Sequence, residues 1–101
     1  METEYHMEKQ ELIIPMPKEL DHHAAKTLGR EIDFLVDSWQ IKKLVLDFAE
    51  TQFMDSSGIA FILRAQQRMR LLEGSLLVCH VPEQARRVLD AAGIGRLVTI
   101  R

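Results

Sequence analysis

The chain predicts a layered α/β fold, and three observations carry that expectation. Two short apolar runs, Leu44-Val45-Leu46-Asp47-Phe48 and Leu76-Leu77-Val78-Cys79, have the length and character of buried strands. Stretches with apolar residues at helical spacing separate and follow them. The whole chain is 101 residues, which leaves room for one hydrophobic core and not for two. Residues 1–101 therefore read as a single domain.

The elements follow in order. Residues 4–8 and 11–16 form two short strands around Lys9-Gln10, with Tyr5/Met7 and Leu12/Ile14/Met16 alternating so that each buries one face. Pro15 has no N–H to give to a ladder, which places an edge or a bulge there. Asp21 is a good helix N-cap, and Leu28, Ile32, Leu35, Val36 and Trp39 share one face, which predicts an amphipathic helix over 22–39. Gly29 inside it costs about 1 kcal/mol relative to alanine.

Strand 44–48 follows, then a loop over 49–54 that is polar at first and apolar at its end. Asp55-Ser56-Ser57-Gly58 opens a second helix over 57–72, with Ile59, Ile62, Leu63 and Met69 inward and Gly74 ending it. After strand 76–79, Pro82 suits the first turn of a third helix, with Ala85, Val88, Leu89 and Ala92 on one face and Gly93 as its C-cap. Leu97-Val98-Thr99-Ile100 is a last short strand. The order β-β-α-β-α-β-α-β implies right-handed crossovers, a sheet that is parallel in its centre and an antiparallel first hairpin. The expected architecture is a mixed sheet of about four to five strands with helices mostly on one face.

Composition narrows the function classes. With 47% hydrophobic and 28% charged residues the chain is ordinary globular rather than disordered. A net charge of −2 argues against general attraction to nucleic acid or an anionic membrane surface. No apolar run approaches the roughly 20 residues of a membrane helix, and Met1-Glu2-Thr3-Glu4 is acidic where a secretion signal is basic. One cysteine, Cys79, excludes an internal disulfide and a multi-cysteine zinc cage. These features fit a cytoplasmic protein, and the modest charge and small surface suggest a monomer.

Phe53-Met54-Asp55-Ser56-Ser57-Gly58 is the strongest local feature. It follows a buried strand and starts a helix, at the carboxyl end of the sheet where α/β proteins place their sites. One reading is a helix cap and nothing more. The other is a serine switched by phosphorylation. A phosphate adds about −1.5 to −2 charges, and a helix start accepts that charge through its free N–H groups and dipole. Such a switch acts on binding and leaves the fold intact. A hydrolase is disfavoured, because G-x-S-x-G is absent and the base would have to be one of a few scattered histidines.

Lys18-Glu19-Leu20-Asp21-His22-His23 is the second feature. Adjacent histidines at a helix start point in different directions and have no further ligand at i+4, so no metal is expected. It reads as a capped, solvated helix start or as a partner contact. Cys79 reads as a buried small hydrophobe. Phe53 and Met54 read as core at the base of the loop, with exposure of Met54 to a partner as the alternative. Arg64, Arg68, Arg70, Arg86 and Arg87 read as solvated helix faces that can also meet an acidic partner.

Asp55-Ser56-Ser57-Gly58, after a strand and before a helix, resembles the phosphorylation loop of the STAS domain. Together with Leu20-Asp21-His22-His23-Ala24-Ala25 it looks most like the anti-sigma factor antagonists of the sporulation type, and the resemblance spans nearly the whole chain. It implies the STAS fold and a protein that is not an enzyme and carries no cofactor. The unphosphorylated form of such a protein binds an anti-sigma factor that is also a serine kinase of the GHKL type. The sigma factor is thereby released. By the same resemblance, Ser56 is the phosphorylated residue and a PP2C-type phosphatase resets it. Asp21, His22, His23, Asp55, Ser56, Ser57 and Gly58 fall on the partner-facing surface. The alternative is a STAS interaction subunit of another signalling assembly without a phosphoswitch.

Overall fold

The chain runs β1 (His6–Glu8), β2 (Glu11–Pro15), β3 (Glu19–Leu20), α1 (His22–Trp39), β4 (Lys43–Asp47), β5 (Phe53–Met54), α2 (Ser56–Leu71), β6 (Ser75–Cys79), α3 (Glu83–Ala91), a 3₁₀ turn (Ile94–Arg96) and β7 (Thr99–Ile100). This computed structural model describes residues 6–8 and 10–101, with side chains from Gln10 onward. The expectations for Tyr5, the Met7 side chain and Lys9 lie outside the described residues.

The main sheet has five strands in the order β1-β2-β4-β6-β7. Among the described residues of this sheet only β1 and β2 pair antiparallel; its other three pairings are parallel, each bridged by a helix. The register sets side chains in rows. Leu12, Leu44 and Leu76 are opposite one another, as are Ile14, Leu46 and Val78. All six are buried and join the helices' apolar residues in one core. The row between them, Ile13, Val45 and Leu77, points to the other face by the period of two. Val45 is buried there, while Ile13 and Leu77 are half-buried. The mixed sheet and one-sided helical layer expected from the sequence are thus both present.

Helix α1 buries Leu28, Ile32, Leu35 and Val36. Trp39 lies on the same stripe but is 52% exposed. It is the last helical residue, the chain reverses at Gln40 (φ 52°), and Ile41 takes the buried position. Helix α2 buries Phe61, Ile62, Ala65 and Met69, leaving Ile59 and Leu63 half-buried at its flanks. In α3 Ala85 and Leu89 are buried, whereas Ala92 falls past the helix end and is exposed.

Three other expectations change. The reversal after α2 is made by Glu73 (φ 58°) and not by Gly74. Gly74 is required for another reason: a Cβ there would lie 2.6 Å from the Lys42 carbonyl oxygen. Of the segment expected as strand 97–100 only Thr99–Ile100 is paired, because Leu97 caps the preceding 3₁₀ turn and is exposed. The arginines of α2 are also less free than expected. Arg64 reaches Asp33 at 3.4 Å and Arg68 pairs with Asp37, so two i, i+4 rows join α1 to α2.

Candidate functional site

Two segments that looked like plain loops each contain a two-residue strand. β3 and β5 pair parallel, with Glu19 opposite Phe53 and Leu20 opposite Met54. Each is followed at once by a helix. The small sheet therefore sets the starts of α1 and α2 side by side, with Asp21 and Asp55 at equivalent places in the two strand-to-helix turns.

The two turns are capped in the same way. Asp21 is the N-cap of α1, and its carboxylate accepts the Ala24 N–H at 2.9 Å. Asp55 is the N-cap of α2, and its carboxylate accepts the Ser57 N–H at 2.8 Å. Each cap satisfies one of the free N–H groups of its helix start. With Asp55 taking this role, Ser56 is the first residue of α2 and is exposed, while Ser57 is half-buried.

Gly58 is buried, and its size matters more than its backbone freedom. A Cβ at this position would lie 2.3 Å from Met54 Cγ, 2.7 Å from Met54 Sδ and 3.2 Å from a methyl group of Leu20. The missing side chain lets α2 seat on both small strands. Met54 and Leu20 are fully buried, so Met54 is core as expected, but Phe53 is 45% exposed, contrary to the sequence reading. The period of two across β5 turns the two neighbours to opposite sides.

The loop before β5 is fastened from several directions. The Gln52 and Phe53 N–H groups donate to the Lys18 carbonyl at 2.7 and 3.0 Å. The buried Thr51 hydroxyl donates to the Pro17 carbonyl at 2.9 Å. Gln84 of α3 accepts the Met54 N–H at 3.0 Å through Oε1, and its Nε2 donates to the Met54 carbonyl at 3.1 Å. Gln84 thus plays the part of a further strand at the open edge of β5. Sequence reasoning missed Thr51 and Gln84, since neither lies in a motif and their partners are backbone groups far along the chain.

Between α1 and α2 runs a groove of about 260 Å³, lined among others by His22, Lys26, Gly29, Ser57, Phe61 and Arg64. The fold therefore brings Asp21, His22, Asp55, Ser56, Ser57 and Gly58 to one end of the molecule, with His22 and Ser57 on a common groove. His23 is exposed and lies outside the lining of that groove.

Cys79 is the last residue of β6 and half-buried, not a core hydrophobe. Partial burial, with the Asp47 carboxylate nearby, raises its thiol pKa above the ordinary value. No helix among the described residues is long and apolar enough to cross a membrane.

A five-stranded mixed sheet, helices on one face and two adjacent capped helix starts define a small α/β protein. The STAS domain model matches residues 2–101, and the chain belongs to that family. It is 32% identical over 100 residues to the anti-sigma F factor antagonist of Paenibacillus polymyxa, covering 99% of this chain and 84% of that protein. Among solved structures it is similar to the anti-sigma factor antagonist SpoIIAA in its unphosphorylated form, with a TM-score of 0.86 at 22% identity over 99% of this chain and 88% of the other. The phosphorylated form of SpoIIAA from Bacillus gives a TM-score of 0.77 at the same identity, over 99% of this chain and 91% of the other. Anti-sigma factor antagonists of the STAS family are regulatory binding proteins and not enzymes, and the non-enzymatic expectation rests on that membership.

Proposed function

We infer that residues 1–101 act as a single cytoplasmic anti-sigma factor antagonist, switched by phosphorylation of Ser56. The unphosphorylated chain binds an anti-sigma factor of the GHKL serine-kinase type and so frees a sigma factor. The kinase transfers the γ-phosphoryl group of ATP to the Ser56 oxygen, the complex dissociates, and a PP2C-type phosphatase restores the hydroxyl. Asp21, His22, His23, Asp55, Ser57 and Gly58 form or shape the surface that meets the kinase.

One observation supports this reading above the rest: Ser56 is exposed at the first position of α2 while Asp55 caps the helix. The hydroxyl is open to an enzyme, and the fold does not depend on it. A phosphate there gains from the helix dipole, so the added charge leaves the backbone in place. Its effect falls on the interface. A complex of micromolar to nanomolar affinity is held by about 8–12 kcal/mol, and every 1.4 kcal/mol lost is tenfold. Like charges opposed across an interface cost several kcal/mol, so one phosphate is sufficient to release the partner.

The test is incubation of the chain with a co-encoded anti-sigma kinase and ATP, read by intact mass, alongside binding of wild type and two variants. Wild type should gain one phosphate and Ser56→Ala none. Ser56→Ala should bind the kinase as wild type does, and Ser56→Asp should bind at least about tenfold more weakly. Equal binding by both variants, or a phosphate gained by Ser56→Ala, would overturn the assignment.

A further inference from the structure

We propose that Asp47, Cys79 and His80 form a binding site for a single thiophilic divalent transition-metal ion of the Zn²⁺ class. The donor atoms of these three side chains all lie within 4.8 Å of one another. Asp47 and Cys79 end neighbouring parallel strands and are register partners, so their side chains leave the sheet on the same face.

His80 follows Cys79 directly, and in a continued strand it would point to the opposite face. It instead adopts a left-handed backbone conformation (φ 56°), and its Nδ1 stands 3.1 Å from Asp47 Oδ1. A β-strand residue, its cross-strand partner and the residue after it are thus turned toward one point.

The backbone around that point is fastened. The Phe48 N–H donates to the Cys79 carbonyl at 3.0 Å, the Met16 N–H to the Asp47 carbonyl at 2.7 Å and the His80 N–H to the Arg101 carbonyl at 3.2 Å. The Asp47 carboxylate also accepts the Ala49 N–H at 3.0 Å, which fixes its orientation. Donors on rigid strand ends, with a hydrogen-bonded carboxylate among them, are what metal sites require.

Thiolate, imidazole and carboxylate make a mixed soft and borderline set that selects Zn²⁺ and its neighbours over Mg²⁺ or Ca²⁺. Tetrahedral coordination by such ligands places donors about 3.3–3.8 Å apart, from metal–ligand distances near 2.0–2.3 Å. The Asp47–His80 separation is already below that range, and His80, exposed over 69% of its side chain, is free to turn as the thiol closes in. Binding replaces the thiol proton with the ion, so one proton is released to solvent and the imidazole donates from its neutral form. Three protein ligands leave a fourth position for water. An ion pair between Asp47 and His80 alone would be worth little at so exposed a place, and it has no use for the sulfur beside it.

The test uses the full chain without a histidine tag, stripped with chelator and titrated with Co²⁺ and then Zn²⁺. Wild type should bind one Co²⁺ and develop the near-ultraviolet absorption of a thiolate–cobalt bond, which Zn²⁺ then bleaches. Cys79→Ser should lose the band, and His80→Ala and Asp47→Asn should bind Zn²⁺ at least about tenfold more weakly. His22→Ala and His23→Ala should bind as wild type. Circular dichroism establishes that each variant is folded, and saturating Zn²⁺ should raise the unfolding temperature of wild type but not of Cys79→Ser. Absence of the band in wild type, Zn²⁺ affinity unchanged by Cys79→Ser and His80→Ala, or loss of binding in the His22 and His23 variants would overturn the site.

Discussion

The Gln84 side-chain amide holds both backbone polar groups of Met54, accepting from its N–H at 3.0 Å and donating to its carbonyl at 3.1 Å. This is the pairing a neighbouring strand would supply. It joins α3 to the two-residue strand directly before Asp55 and Ser56, so the start of α2 is set by three elements far apart in sequence. A strand this short, paired on one side by β3 alone, would otherwise leave its other edge open.

Gln84→Ala should therefore cost about 1–3 kcal/mol, because two partly buried backbone groups lose their partners together. Gln84→Glu keeps the acceptor and loses the donor, so it should recover only part of that stability at neutral pH. Chemical denaturation of the three proteins measures both. Wild-type stability in Gln84→Ala would mean that water replaces the amide without loss.

Gly58→Ala should destabilise by about 1–3 kcal/mol through overpacking. The new methyl group would sit 2.3 Å from Met54 Cγ, and Met54 is fully buried between the elements that would have to part. A double variant with Met54→Ala makes room for the methyl group, so the two substitutions should cost less together than their separate costs predict. Strict additivity in the four-protein cycle would contradict the contact.

The fold was legible where periodicity spoke. The three helices and the central strands β2, β4 and β6 follow from Leu12/Ile14, Leu44/Leu46, Leu76/Val78 and the stripe from Leu28 to Val36, whereas their order in the sheet does not. Asp21 and Asp55 were legible as caps because a carboxylate before a helical run has few other roles. The two-residue strands β3 and β5 were not, since two residues carry no period. Phe53 and Met54 could be told apart only once β5 fixed an alternation. The gathering of Asp47, Cys79 and His80 depends on strand register and on the left-handed turn at His80, and neither is written in the spacing of three ligands that are 33 residues apart at their widest.

Cys79 should react slowly. Partial burial and the Asp47 carboxylate raise its thiol pKa, so with chelator present at pH 8 its alkylation by iodoacetamide should be slower than that of the unfolded chain. The sign for stability follows. The folded protein holds the thiol proton more tightly than the unfolded chain does. Stability is thus fully present below the unfolded thiol value, about 8.5, and falls as pH rises from there toward the folded value. Cys79→Ser should remove this alkaline decline, as measured by denaturation at pH 7 and pH 9.5; an identical decline in the variant would assign it to other groups.

Gly29 lies inside α1 and lines the groove shared by His22, Ser57 and Arg64. A Cβ there would meet nothing within 4 Å, so the helix carries glycine's entropic cost with no close packing partner requiring it. Gly29→Ala should stabilise the free protein by about 1 kcal/mol, which for a domain of this size raises the unfolding temperature by about 4–8 °C. The same methyl group narrows the groove between the two helix starts. If an anti-sigma factor inserts a side chain there, the variant should bind it more weakly while being more stable, a combination that a general loss of folding cannot produce. A lower unfolding temperature in Gly29→Ala would mean that α1 and α2 approach more closely at this point than the open groove allows.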